Sequence, residues 1–241
     1  MRDWMRVLLN HHDDSLRRFP DHRLLVLFDV DETFVDMRLA VASVLRAYDT
    51  AHGSRHFAAL ETALLDPFGR GIESALEQCG VPAGEQPQVL AWYQQHRRSG
   101  DAARVAHAPY RGLLAFAAWL HAQPRTTVGI NSARPEFLRQ ETLRCLNTLA
   151  SDTDLRFVDD LAWFTPHGWR DDVGASKLAA IAKAERRGER VIAMIDSNLA
   201  VLAALAQFDY GDDRLLVHSA DLLQQSQSQS RVREWRTPEV A

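Results

Sequence analysis

Four carboxylates, Asp29, Asp31, Glu32 and Asp36, crowd the stretch LLVLFDVDETFVDM, which opens with five apolar residues at Leu24. A short Leu- and Val-rich run of this kind makes an interior strand of a parallel sheet, where unpaired carboxylates would be costly. The cost vanishes if the strand ends at Phe28 or Asp29 and its C-terminal tip opens into a cleft, which is where open α/β sheets bind ligands. A carboxylate at such a tip can act as a nucleophile, and a second one two residues on can share the cleft if the backbone turns. Charge of that sign calls for a cation. Of the 28 basic residues only Lys177 and Lys183 are lysines, so a site that needs a compact ammonium has two places to find it.

The elements that must position these groups follow from patterning. Residues 1 to 22 predict an amphipathic leading helix ending near Phe19-Pro20. Later strand-like runs are TTVGINS from Thr126, LRFVDDL from Leu155, VIAMID from Val191 and RLLVHS from Arg214, with helical stretches ARPEFLRQETLRCLNTL and SKLAAIAKAERRG between them. Strands alternating with helices predict an α/β, Rossmann-like three-layer core with a mainly parallel sheet. The interval from Asp36 to Thr126 is far longer than a crossover needs and must hold structure of its own. Its crossover helix is YRGLLAFAAWLHAQ from Tyr110, which leaves residues 38–104 as an inserted α-helical cap and assigns 1–37 and 105–241 to the core. The cap reads as four helices, RLAVASVLRAYDTAH, RHFAALETALLD, GIESALEQCG and EQPQVLAWYQQHRR, divided by Gly and Pro signals. The polar low-complexity tail, 224–241, reads as mobile.

Composition narrows the class. With 46% hydrophobic and 25% charged residues the chain is ordinary for a soluble globular protein. A net charge of -4 disfavours a nucleic-acid or anionic-membrane partner. No apolar run reaches membrane-span length and MRDWMRVLLNHHDD lacks a signal-peptide core, so a cytoplasmic location is the expectation. Cys79 and Cys145 have no metal-type spacing and read as buried thiols. The HHDD run at His11 could be pictured as a metal cluster, but helix neighbours diverge in direction, and it reads as solvated polar residues.

The apolar strand followed by Asp29-Val30-Asp31-Glu32-Thr33 resembles the first motif of the haloacid dehalogenase superfamily in its phosphatase form. Three further pieces follow in the family's order: Ser132 in INSARPE closing the second core strand, Lys177 in GASKLAAI opening a helix, and Asp196 in VIAMIDSN ending the fourth. The insertion between the first two motifs is similar to the helical-cap, phosphoglycolate phosphatase-like subgroup. The resemblance implies a Rossmann-like sheet under a helical lid, a magnesium cofactor, and a small phosphomonoester as substrate.

Site roles follow. Asp29, first at the strand tip, suits an attacking carboxylate that would form an aspartyl-phosphate. The resemblance assigns Asp31 the protonation of the leaving oxygen and activation of water, gives magnesium to Asp29, the Asp31 main-chain carbonyl and Asp196, and adds Thr33 to the phosphate-binding set. Ser132 offers a hydroxyl and an N–H to a phosphoryl oxygen. Lys183 lies about 240° around the helix from Lys177, so Lys177 is the phosphate clamp. Arg70, between two glycines in DPFGRGIE, could carry a guanidinium from the cap to an anionic substrate. The fourth motif departs from the family pattern: Asp196-Ser197-Asn198 has no second acid. That leaves two alternatives to a hydrolase, a phosphomutase and a catalytically weak protein that binds a phosphorylated ligand. Neither substrate identity nor oligomeric state can be read from these residues.

Overall fold

Successive residues of β1 (Arg23–Phe28) face opposite sides of the sheet, and that alternation builds two cores. Leu24, Val26 and Phe28 pack with Leu113, Leu120, Leu146 and Ile195 on one side. Leu25 and Leu27 pack with Ile181, Met194 and Leu205 on the other. The computed structural model describes residues 3–62, 65, 72–96, 108–166, 172–208 and 213–219.

Around β1 the described elements are α1 (Asp3–Arg18), β2 (Val35–Asp36), α2 (Arg38–His52), α3 (Ile72–Gln78), α4 (Gln86–His96), β3 (Ala108–Pro109), α5 (Arg111–His121), β4 (Thr126–Pro135), α6 (Arg139–Leu149), β5 (Ala162–Thr165), α7 (Val173–Arg186), β6 (Glu189–Asp196), α8 (Leu199–Ala206) and β7 (Leu215–His218). The five long strands form one sheet in the order β5-β4-β1-β6-β7, every pair parallel. The expected α/β core with a parallel sheet and helices on both faces is therefore present. Connections leave β1 toward β4 and leave β6 toward β7, so the strand order reverses between β1 and β6, the position at which such sheets place ligands. β2 and β3 pair antiparallel where the chain leaves the core and returns. Between them lies a third apolar cluster, including Leu45, Tyr48, Phe57, Leu76 and Val89, which shares no residue with the first two.

Two expected elements take another form. LRFVDDL is not a strand: its last three residues form a 3-10 turn, and β5 begins at Ala162. Leu155 and Phe157 are buried as the alternation requires. However, the Asn147 side chain, on α6, takes both backbone groups of Phe157, donating to its carbonyl at 3.0 Å and accepting from its N–H at 2.9 Å. A ladder has nothing left to pair with there. RHFAALETALLD is a run of turns over its described part. The Asp49 carboxylate accepts from the N–H groups of His56 and Phe57, and Arg46 donates to the Leu60 carbonyl, so α2 takes backbone groups that a helix would have used internally. The tail 224–241 lies outside the described residues. Among those residues no helix is long and apolar enough to cross a membrane. Both cysteines are free and half-buried.

α1 closes the end of the sheet opposite the strand tips, and its histidines face the sheet rather than solvent. His11 donates through Nε2 to the Ile192 carbonyl at 2.8 Å. The Thr126 hydroxyl donates to the Pro124 carbonyl and so accepts from His12 Nε2 at 2.8 Å. Burial lowers the His12 pKa from 6.5, opposed by Asp13 and reinforced by His11. A histidine whose folded pKa lies below its unfolded one contributes stability that is present above the unfolded value and lost as pH falls through the folded value. The protein is therefore expected to lose stability in urea as pH drops below about 6.5. His12→Gln is expected to flatten that slope, and an unchanged slope would show that other groups set it.

Candidate active site

The ladder aligns three tips. Phe28 pairs with Ile130 on one side and Ile195 on the other, so the next residues outward are Asp29, Asn131 and Asp196. The Asp29 N–H still donates to the Ile195 carbonyl at 2.8 Å. The chain then curls tightly, with the Val30 carbonyl accepting from the N–H groups of Thr33, Phe34 and Val35 at 3.3, 3.0 and 3.1 Å. Glu32 has φ 54° in this turn, a left-handed conformation uncommon outside glycine. Its carbonyl accepts from the Ser219 hydroxyl at 2.8 Å, and its carboxyl accepts from the Met37 N–H at 3.0 Å and the Tyr110 hydroxyl at 2.8 Å. Burial pushes that carboxyl up to about 8, against the pull of Tyr110. Glu32 thus ties together the two chain segments that run between the core and the inserted helices, a role the sequence reading did not give it.

Lys177 reaches the tips from α7. It lies in the second turn rather than at the helix start as expected, because Asp172 caps the helix by accepting from the Ala175 N–H. The Asn131 amide donates to the Lys177 carbonyl at 3.1 Å, fixing α7 against β4. The Lys177 ammonium, on a side chain 1% exposed, donates to Asp196 Oδ2 at 2.5 Å and stands 3.0 Å from Asp29 Oδ1. Burial opposes its charge, but Asp29 and Asp196 together hold its pKa above the lysine range. Burial pushes Asp29 up to about 7 despite Lys177, with Asp196 and Asp31 adding to the rise. Asp29 Oδ1 is buried and has no partner in hydrogen-bond geometry. Lys183 is exposed, as expected.

Asp31 is held at both ends. Its main-chain carbonyl accepts from the Ser197 hydroxyl at 3.0 Å. Its carboxylate, on a side chain 31% exposed, receives the Nε and Nη2 groups of Arg134, with Nε at 3.0 and 3.2 Å from the two oxygens. Arg134 is almost wholly buried and also donates to the Thr142 hydroxyl at 3.2 Å. It belongs to INSARPE, where a helix was expected from Ala133. β4 instead stays extended to Pro135, and the Thr165 hydroxyl contacts the carbonyls of both Ala133 and Arg134. Ser132 lies buried on the same strand end, and its hydroxyl accepts from the Arg134 N–H at 3.1 Å, which leaves its proton to donate. The Thr33 side chain is fully buried beneath the turn and its hydroxyl has no partner. Arg70 lies outside the described residues.

Asp29, Asp31, Asp196, Ser197 and Lys177 therefore meet at the strand-order reversal, and Arg134 joins them through Asp31. A cavity of about 400 Å³ lined by Arg23, Leu161, Trp163, Arg187 and Glu189 lies at the other end of the sheet, where β1 and β6 begin, away from these groups.

No protein-family model and no curated protein matches the chain. Solved structures do. A candidate phosphatase from Clostridium difficile superposes with a TM-score of 0.50 at 10% identity, covering 86% of this chain and 99% of that one. A haloacid dehalogenase-like family hydrolase from Streptococcus pneumoniae gives 0.46 at 10%, covering 84% and 98%. A candidate haloacid dehalogenase-like hydrolase from Bacteroides fragilis gives 0.44 at 16%, covering 82% and 98%. The chain shares its overall fold with the Clostridium difficile structure. In that fold the sequence pieces at Asp29, Ser132, Lys177 and Asp196 occupy four neighbouring positions around one strand end, although they span 168 residues of chain. β2 and β3 pair where the chain leaves and re-enters the sheet domain between β1 and β4.

The sequence reading missed Arg134. Its signal was present, an arginine two residues beyond Ser132 at a strand tip, but with so many arginines in the chain nothing singled it out.

Proposed function

We propose that this protein hydrolyses a small phosphomonoester through an aspartyl-phosphate on Asp29, with magnesium as cofactor. One observation carries the reading: an ammonium, Lys177, buried between two carboxylates, Asp29 and Asp196, at the strand-order reversal of a parallel sheet. An Asp29 oxygen attacks phosphorus in line with the ester oxygen. Asp31 gives the leaving alcohol its proton, then takes one from the water that hydrolyses the acyl phosphate. Lys177 and the Ser132 hydroxyl stabilise the charge on the phosphoryl oxygens. Residues 38–104 act as the cap that excludes water and selects the alcohol, with Arg70 as a contact to the substrate. Thr33 supports the turn from below and does not itself reach substrate. Rapid acid quenching with a ³²P-labelled ester should trap phosphate on Asp29, alongside release of inorganic phosphate in a screen of sugar, nucleotide and small organic phosphates. Release without a trapped phosphoenzyme, and with Asp29→Asn still active, would refute the covalent route.

The donor set suits magnesium. Among the described residues no three His, Cys, Asp or Glu side chains are grouped to hold a metal, but magnesium often takes one or two carboxylates and keeps several waters. Asp29 and Asp196 are buried carboxylates that share one ammonium, Lys177, 3.0 Å from Asp29 Oδ1 and 2.5 Å from Asp196 Oδ2, and burial raises the Asp29 pKa, so the pair keeps an excess of negative charge that suits a cation. Asp29, Asp196 and the Asp31 carbonyl would hold the ion, which when bound neutralises phosphoryl charge. Asp196 is shared with Lys177, and the Asp31 carbonyl with Ser197. Ser197→Asp would add a carboxylate beside that carbonyl. It is expected to lower the magnesium concentration needed for half-maximal thermal stabilisation by roughly tenfold at fixed ionic strength. No change in that midpoint would place the ion elsewhere.

A further inference from the structure

We infer that Arg134 is a positioning residue for Asp31, and that this network suits the enzyme to esters of ordinary, poorly leaving alcohols; the inference rests on the phosphatase reading above. Three observations support it. A guanidinium buried to this degree must spend its donors on specific partners, and Arg134 spends them on the Asp31 carboxylate and the Thr142 hydroxyl. Its planar fork fixes the carboxylate in direction as well as place, which a lysine cannot do. Asp31 is also the acid of the set whose side chain is most open to the mouth of the site, 31% exposed against 7% for Asp29 and none for Asp196. A side chain on a tight turn, open to solvent on one side, would otherwise sample several rotamers.

The backbone around Asp31 has matching support. Ser197 holds its carbonyl, and Val35 forms an isolated bridge with it. Thr142 stands on α6, in the core, so the carboxylate is referenced to the rigid sheet-and-helix body rather than to the inserted helices. Arg134 Nη2 also lies 3.8 Å from the Met37 sulfur, at the residue just before α2, so the fork touches the chain where it enters the insertion. Proton transfer to a leaving oxygen is worth about 10²–10⁴-fold and depends on placement to within hydrogen-bond reach. It matters for an alkyl alkoxide, which leaves poorly without a proton. It matters little for 2,4-dinitrophenolate, which leaves as the anion.

The test compares an alkyl phosphate with 2,4-dinitrophenyl phosphate in wild type, Arg134→Lys, Arg134→Gln and Thr142→Val. If Arg134 positions Asp31, kcat on the alkyl ester should fall by about 10²-fold or more in Arg134→Gln while the dinitrophenyl ester loses less than about tenfold. Arg134→Lys should fall between, and Thr142→Val should show the same selectivity in weaker form. Since Arg134→Gln leaves a buried site short of a charge, Thr142→Val is the variant that answers if the first fails to fold. Equal losses on the two esters in the folded variants would make Arg134 merely structural and overturn the inference while the phosphatase reading stands. Unchanged alkyl turnover would overturn it as well. A wild type that releases phosphate from neither ester would remove the phosphatase reading and this inference with it.

Discussion

Asp29→Asn is expected to lower phosphate release by roughly 10⁴-fold, the scale on which removing one member of a catalytic set acts. The substitution keeps the shape of the side chain and its backbone bond to Ile195, and it removes the attacking charge. Folding should survive, because Lys177 retains Asp196 as its ion-pair partner and the neutral amide brings no new buried charge. Circular dichroism and a phosphate-release assay on the same preparation separate the two quantities. A variant that folds and still turns over within tenfold of wild type would end the covalent mechanism.

Lys177→Met is expected to have the largest effect on the fold itself. Met is close to lysine in length but leaves Asp29 and Asp196 buried, side by side and without the ammonium between them. Breaking a buried pair by removing one partner costs about 3–5 kcal/mol. In a domain of this size that is a drop in Tm of roughly 10 °C. Adding Asp29→Asn to Lys177→Met removes one of the stranded charges, so the double variant should be more stable than the single one, and the difference reports how strongly the two groups are coupled. An unchanged Tm in the single variant would mean that the carboxylates simply take up protons at no cost. The expected result for activity is loss in both, since no ammonium then faces the phosphoryl site.

The candidate site was legible in the sequence where it coincided with the ends of secondary structure. An apolar strand that stops at a carboxylate, a Ser before a proline-marked break, a lysine in a helix and an Asp at the end of VIAMID each mark a boundary, and parallel β-strands bring such boundaries to one edge of the sheet. Four of the five parallel strands, and the long interval between the first two, follow from the patterning; the edge strand β5 lies just beyond the run read for it. The insertion's own path did not: the turns after α2 depend on the Asp49 carboxylate and on Arg46, contacts that local propensity does not report.

The side-chain partners were decided by the tertiary structure. Four acids follow β1 within eight residues, and the sequence offers no means of dividing their labour. Asp36 turns to Arg38, two residues away. Glu32 turns inward to Met37 and Tyr110, and takes a left-handed backbone to do so. Asp31 meets Arg134, 103 residues on, only because β4 runs extended past Asn131, with a register shift against β5 that re-aims its last residues. What the sequence determined by itself is the set of strand tips and the charge at them, because hydrophobic periodicity is a local property that survives without any neighbour. Which carboxylate receives an ammonium, which a guanidinium and which a tyrosine hydroxyl is a matter of a few ångströms between segments far apart in the chain, and only the packed sheet and its flanking helices set those distances.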